Sequence, residues 1–179
     1  MKPTRRAALA WLAASVTAVS GLGAGAAAPA APPPRFRPLG RTEVFPDVAF
    51  KDRAGREIGF VELRGRPVVA VFWATWCGVC HGEMPKLNRL QAALADKAWI
   101  VPLSIDRGGM PVVDRYFARR KLNALTPYLD PEQMFAAIMG IRGVPTAFVL
   151  DAAGRMAAVA EGPVDWESAQ VRRYLLALA

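Results

Sequence analysis

Both cysteines of this chain and its single histidine fall within five residues, Cys77-Gly78-Val79-Cys80-His81, and Glu83 follows three residues after the second cysteine. Two thiols separated by two residues suit disulfide interchange. One attacks a partner disulfide, and the other, already within reach, resolves the mixed disulfide in an intramolecular step. A structural staple fits poorly, because so short a loop removes little entropy from the unfolded chain when it is closed. Half of a zinc site has the same spacing, but the chain has no second cysteine pair to complete four ligands. Two further readings stand beside redox exchange. Cys77 to His81 also satisfies C-x-x-C-H, in which both thiols bond a c-type haem and His81 ligates its iron. The reduced pair can instead carry Cu(I), which soft thiolates select, although only His81 and Met84 offer further donors nearby. Against haem stands a strand running directly into the motif, where small c-type domains are helical. His81 is otherwise expected as a solvent-facing residue that adjusts local charge. The expected site holds no metal and no cofactor.

The elements that must position this pair can be read on either side of it. Val68-Val69-Ala70-Val71-Phe72-Trp73 is a continuous apolar run rich in β-branched and aromatic residues, which predicts a central strand buried on both faces. Beyond Cys80, Met84, Leu87, Leu90 and Leu94 recur at helical spacing with Lys86, Arg89 and Gln91 between them, predicting a helix to about Lys97 with a kink at Pro85. The motif therefore lies where a buried strand meets a helix N-terminus, whose free N–H groups and dipole favour a thiolate on Cys77 and leave Cys80 one turn deeper. Trp99 to Ile105 predicts the next strand, parallel to the first through a right-handed crossover. Helices are expected over Met110 to Leu122 and Pro131 to Met139. Strands over Thr146 to Leu150 and Arg155 to Ala160 form a hairpin, and a last helix is capped by Asp165 and carries Val171, Leu175 and Leu178. Upstream, Asp52-Arg53-Ala54-Gly55 marks a turn between two short strands with Phe50 and Ile58 facing inward.

The 179 residues suit one domain with its own core. Residues 1–30 carry Lys2, Arg5 and Arg6, no acidic residue, and then an apolar, small-residue stretch. That order predicts a cleaved signal peptide or an N-terminal membrane anchor, with Thr4-Arg5-Arg6 leaving both general and twin-arginine export open. Residues 31–40 form an Ala/Pro-rich linker in which Pro32-Pro33-Pro34 favours an extended tether, and residues 41–179 form the domain. Without the first segment, 20 basic residues face 15 acidic ones. The excess is mild. Arg115, Arg119, Arg120 and Lys121 are expected to form a solvated helix face, and no nucleic-acid partner is expected for an exported chain.

Phe72-Trp73-Ala74-Thr75-Trp76-Cys77-Gly78-Val79-Cys80 with Glu83-Met84-Pro85, and later Gly140-Ile141-Arg142-Gly143-Val144-Pro145-Thr146, resembles thioredoxin-like proteins of the TlpA and ResA type. The resemblance runs from about Val44 to the C-terminus. It implies an α/β thioredoxin fold, a central mixed sheet flanked by helices, with an N-terminal β-hairpin extension. It also implies a redox-active disulfide between Cys77 and Cys80, a cis Pro145 facing it, and a substrate strand held by Val144 with Trp76, Gly78 and Val79 around the thiols. Glu83 takes the role of a proton acceptor tuning the thiols; the plainer reading is an acidic residue favouring the helix N-terminus. Val71 stands where thioredoxins proper carry a buried aspartate, so proton transfer must use Glu83 or water, and Val79 replaces a frequent proline. The implied activity is reduction of protein disulfides outside the cytoplasm, in cytochrome c maturation or copper-site assembly for oxidases, with electrons from a membrane thiol donor.

Overall fold

A computed structural model describes residues 30–40, 43–130 and 132–179, so the expected signal or anchor over residues 1–30 lies almost wholly outside the described residues. The predicted central strand is β4, Val68–Trp73, buried at all six positions. Its two faces explain the unbroken apolar run. Val69, Val71 and Trp73 pack with Met84, Leu87, Val113 and Leu175 on one side, while Val68, Ala70 and Phe72 join Phe45, Phe50, Phe60 and Phe135 on the other.

Before β4 come β1 (Arg37–Pro38), β2 (Phe50–Lys51), β3 (Glu57–Ile58) and a 3₁₀ turn over Phe60–Leu63. After it follow α1 (Gly78–Leu94), β5 (Trp99–Ser104), α2 (Met110–Arg120), β6 (Tyr128–Leu129), α3 (Met134–Ile138), β7 (Thr146–Leu150), β8 (Met156–Glu161) and α4 (Ala169–Leu176). One mixed sheet has the order β1-β8-β7-β4-β5-β6-β2-β3. As predicted, β4 and β5 are parallel, from Val68 opposite Trp99 to Trp73 opposite Ser104, and β7 with β8 is an antiparallel hairpin.

The β2–β3 hairpin also follows the prediction, with Phe50 and Ile58 buried. Asp52 Oδ1 accepts the N–H groups of Ala54 and Arg56, and Gly55 takes φ +81°, a conformation open to a residue without Cβ.

Several boundaries differ for identifiable reasons. Helix α1 stops at Leu94 rather than near Lys97 because Gln91, one of the polar residues between the apolar positions, is buried. Its amide donates to the Ala95 and Ala98 carbonyls and its oxygen accepts Ile100 N–H, which locks the turn into β5. The last helix is capped by Ser168, whose Oγ accepts Val171 N–H, and not by Asp165, whose backbone carbonyl instead receives Ser168 N–H. Helices α2 and α3 are shorter than expected. Pro85 lies inside α1. The stretch read as an extended tether makes a turn, with Phe36 N–H donating to the Pro33 carbonyl at 3.0 Å and Arg35 at φ +78°, and it is not free of the domain: Phe36 is buried with its ring 5.8 Å from that of Trp166, and Arg37–Pro38 pairs with β8. Arg115, Arg119, Arg120 and Lys121 are solvent-exposed.

Candidate active site

β4 delivers the chain through Ala74-Thr75-Trp76 to Cys77, the N-cap of α1. Cys77 N–H donates to the Ala74 carbonyl at 3.1 Å, and Cys77 Sγ accepts Cys80 N–H at 3.1 Å. The two cysteines are joined as a disulfide with Cα atoms 5.3 Å apart. Both residues are buried, Cys77 at 6 % and Cys80 at 1 % exposed. Once the disulfide opens, the same N–H and the N-terminal end of α1 are placed to stabilise a Cys77 thiolate.

Trp76 and Val79 are 66 % and 53 % exposed, so an apolar surface borders the sulfurs. Gly78 between them is open to solvent. Across from the helix N-terminus, Val144-Pro145 is a cis peptide, and the Val144 carbonyl oxygen lies 3.6 Å from Cys77 Sγ. A reduced Cys77 thiol can donate to that oxygen. The Pro145 carbonyl accepts Gly162 N–H, tying this turn to the end of β8.

Glu83 is buried one turn into α1. Its Oε1 accepts Val164 N–H at 2.6 Å and Trp166 Nε1–H at 2.9 Å, whereas Oε2 is buried without a hydrogen-bond partner. Burial pushes its carboxyl above the ordinary value, against the pull of those two donors and of Lys86. The buried Val71 beside β7 carries no titratable group.

Two features escape the sequence. Asp106, just after β5, is 3 % exposed; its carboxylate accepts Thr75 N–H at 2.8 Å, Thr75 Oγ1–H at 2.7 Å and Ser104 Oγ–H at 2.7 Å. The loop that presents Trp76 and Cys77 is therefore anchored on the neighbouring parallel strand. A polar Ser-Ile-Asp at the end of an apolar strand was the available signal. Glu83's partners, by contrast, lie 81 and 83 residues away, with nothing local to announce them.

His81 departs from its expected solvent-facing position. It is half-buried, 5.3 Å ring to ring from Tyr116, and its Nε2 lies 2.7 Å from the Thr75 carbonyl. A carbonyl only accepts, so Nε2 carries the proton there. Thr75 is thus held from both sides, by Asp106 and by His81. No group of three His, Cys, Asp or Glu side chains suited to a metal ion occurs among the described residues.

A mixed sheet whose central strand ends in a disulfide-bonded Cys-x-x-Cys at a helix N-cap, opposite a cis-proline turn, defines a thioredoxin-fold thiol-disulfide oxidoreductase. The chain belongs to the Redoxin family, whose model matches residues 40–175. It is similar to the thiol-disulfide oxidoreductase ResA of Geobacillus thermodenitrificans, 29 % identical over 122 residues that span 68 % of this chain and 70 % of that one. It is also similar to the thioredoxin-like protein YneN of Bacillus subtilis, 31 % identical over 112 residues, 61 % of this chain and 64 % of that one. Among solved structures, a DsbE-type thiol:disulfide interchange protein of Chlorobium tepidum superposes with TM-score 0.67 at 28 % identity, covering 76 % of this chain and 96 % of its own. StoA from Bacillus subtilis shares the fold, with TM-score 0.59 at 23 % identity over 70 % of this chain and 98 % of its own. No helix among the described residues is long and apolar enough to cross a membrane.

Proposed function

We propose that the chain reduces disulfides of partner proteins outside the cytoplasm, with Cys77 as nucleophile and Cys80 as resolving thiol. The observation that carries this reading is the placement of Cys77 Sγ at the α1 N-cap against Cys80 N–H and 3.6 Å from the Val144 carbonyl. The Cys77 thiolate attacks one sulfur of the partner disulfide; a Cys77–partner disulfide forms and a partner thiolate leaves. Cys80, deprotonated, then attacks Cys77 Sγ, and the second partner thiolate leaves. Two electrons pass to the partner and the Cys77–Cys80 disulfide remains. Glu83 accepts the Cys80 proton in this scheme, supported by its burial on the same helix and its raised pKa. Trp76, Gly78 and Val79 flank the partner's cysteine, and Val144 with Pro145 meets its backbone.

The basic-then-apolar N-terminus supports export to the periplasm or an equivalent compartment. The likeness to ResA supports a place in keeping cysteines of apo-cytochromes or copper-site proteins reduced, with a membrane thiol donor returning electrons to the Cys77–Cys80 disulfide. The test is the equilibrium reduction potential together with turnover of a protein disulfide by the native chain and by Cys77→Ser. We expect a potential below about −260 mV, past the biochemically extracted glutathione poise, and complete loss of turnover in Cys77→Ser. Undiminished turnover in that variant refutes the nucleophile, a much higher potential makes the protein an oxidant, and a Soret band in its absorption spectrum refutes the redox reading altogether.

A further inference from the structure

We propose that a groove behind the Val144-Pro145 turn seats the partner polypeptide beside the cysteine under attack, and that it selects an apolar side chain accompanied by a carboxylate. This rests on the reading of Cys77 as the nucleophile. The groove, about 600 Å³, begins at Val144 and Pro145. Because the Val144 carbonyl lies 3.6 Å from Cys77 Sγ, a chain bonded to Cys77 is brought to its mouth.

The floor is the outer part of the sheet. In β1 Arg37 stands opposite Val159 of β8, and in β7 Phe148 and Thr146 stand opposite Val159 and Glu161. Alternation places these side chains on one face. It is the face away from α1, α2 and α4, whose buried residues pack on the other side of the sheet. Instead of a helix, the chain leaving α3, residues 139–145, walls this corner. Leu39, Ile141 and Met156 are only half-buried along it and pack against the aromatic core. An apolar side chain laid there covers them without displacing any element.

Charge fixes the second half of the specificity. Arg37 and Arg142 are exposed on the groove and have no ion-pair partner among the described residues, against a single carboxylate at Glu161. The excess is positive, next to an apolar floor. A segment combining leucine-like and acidic side chains complements both, whereas a serine and lysine segment complements neither. Arg37 of β1 and Leu39 just after it precede the predicted domain, so this upstream stretch contributes directly to the seat.

The test uses the full chain carrying Cys80→Ser, in which a disulfide formed by Cys77 is not resolved. Two decapeptides are supplied together in equal excess, each with one cysteine blocked as its disulfide with 5-thio-2-nitrobenzoate. In one the cysteine is flanked on both sides by Leu and Asp, in the other by Ser and Lys. Attack by Cys77 forms the Cys77–peptide disulfide and releases the same thionitrobenzoate from each, and early adducts are counted by mass spectrometry. We expect the Leu/Asp adduct in about tenfold excess, and near parity or inversion when Arg37→Glu and Arg142→Glu are added. The ratio cancels any general change in thiol reactivity. Equal adducts with the unreversed chain, or an unchanged ratio after charge reversal, overturns the groove alone. Equal adducts together with a dimer that charge reversal dissociates assigns the face to a second copy and overturns it as well. Failure to form either adduct refutes Cys77 as the nucleophile, and the groove proposal with it.

Discussion

Glu83 and Asp106 are both buried carboxyls beside the redox loop, yet their surroundings divide them. Asp106 meets three donors across its two oxygens. Glu83 meets two on Oε1 and none on Oε2. Asp106→Ala leaves Thr75 N–H without its acceptor, at a cost of about 1–3 kcal/mol. Chemical denaturation of the oxidised form should show that loss, Asp106→Asn should lose less because its amide keeps an acceptor oxygen, and alkylation of the reduced Ala variant should slow as the loop presenting Cys77 loosens. Equal stability of native and Ala proteins would remove Asp106 from this role. For Glu83 the sign follows from its raised pKa. Such a group contributes stability that is complete below its unfolded value of 4.5 and is lost as pH rises through the higher folded value. The native chain should therefore lose stability relative to Glu83→Gln as pH rises above the unfolded value of 4.5, measured by urea unfolding of the oxidised form. A pH-independent difference between the two proteins would mean that burial does not raise this carboxyl.

At the scale of elements, α4 and α1 share a junction that local sequence describes poorly. Ser168 caps α4, Arg89 of α1 pairs with Glu167 just before it, and Glu83 of α1 fastens the approach through Val164 and Trp166. Ser168→Ala should cost about 1 kcal/mol by removing the acceptor for Val171 N–H, measurable as a lowered midpoint of denaturation. Asp165→Ala should cost clearly less, since its contribution to the cap is a backbone carbonyl that alanine retains. The reverse order would return the cap to Asp165. The helix periodicity that located α1 and α4 is a property of each segment, but which polar residue closes an end depends on where the incoming chain turns.

For the molecule as a whole, the segment before the predicted domain is part of its structure. Phe36 is 6 % exposed and packs against Trp166 and Tyr174, holding β1 on the edge of β8. Phe36→Ala should destabilise the oxidised protein by about 3–5 kcal/mol, the usual cost of emptying a buried aromatic site. A change below about 1 kcal/mol would show that the strand adds little. Because Trp166 also donates to Glu83, the same substitution connects the N-terminal strand to the environment of the redox helix.

The sequence by itself determined the chemistry and the scaffold around it. Cys77 and Cys80 three positions apart, a continuous apolar run ahead of them and helical spacing after them are local patterns, and local patterns survive without knowledge of the fold. The Gly-Val-Pro turn at Val144 and Pro145 was legible only through family resemblance, since nothing near it in the chain points to Cys77. Tertiary structure alone decided that Phe36 is core and Gln91 a turn clamp. It also decided that His81 and Asp106 grip Thr75, and that Glu83 keeps one oxygen unpartnered. These depend on contacts across the sheet and between elements distant in the chain, where a polar or linker residue gains its partner only once the strands are paired.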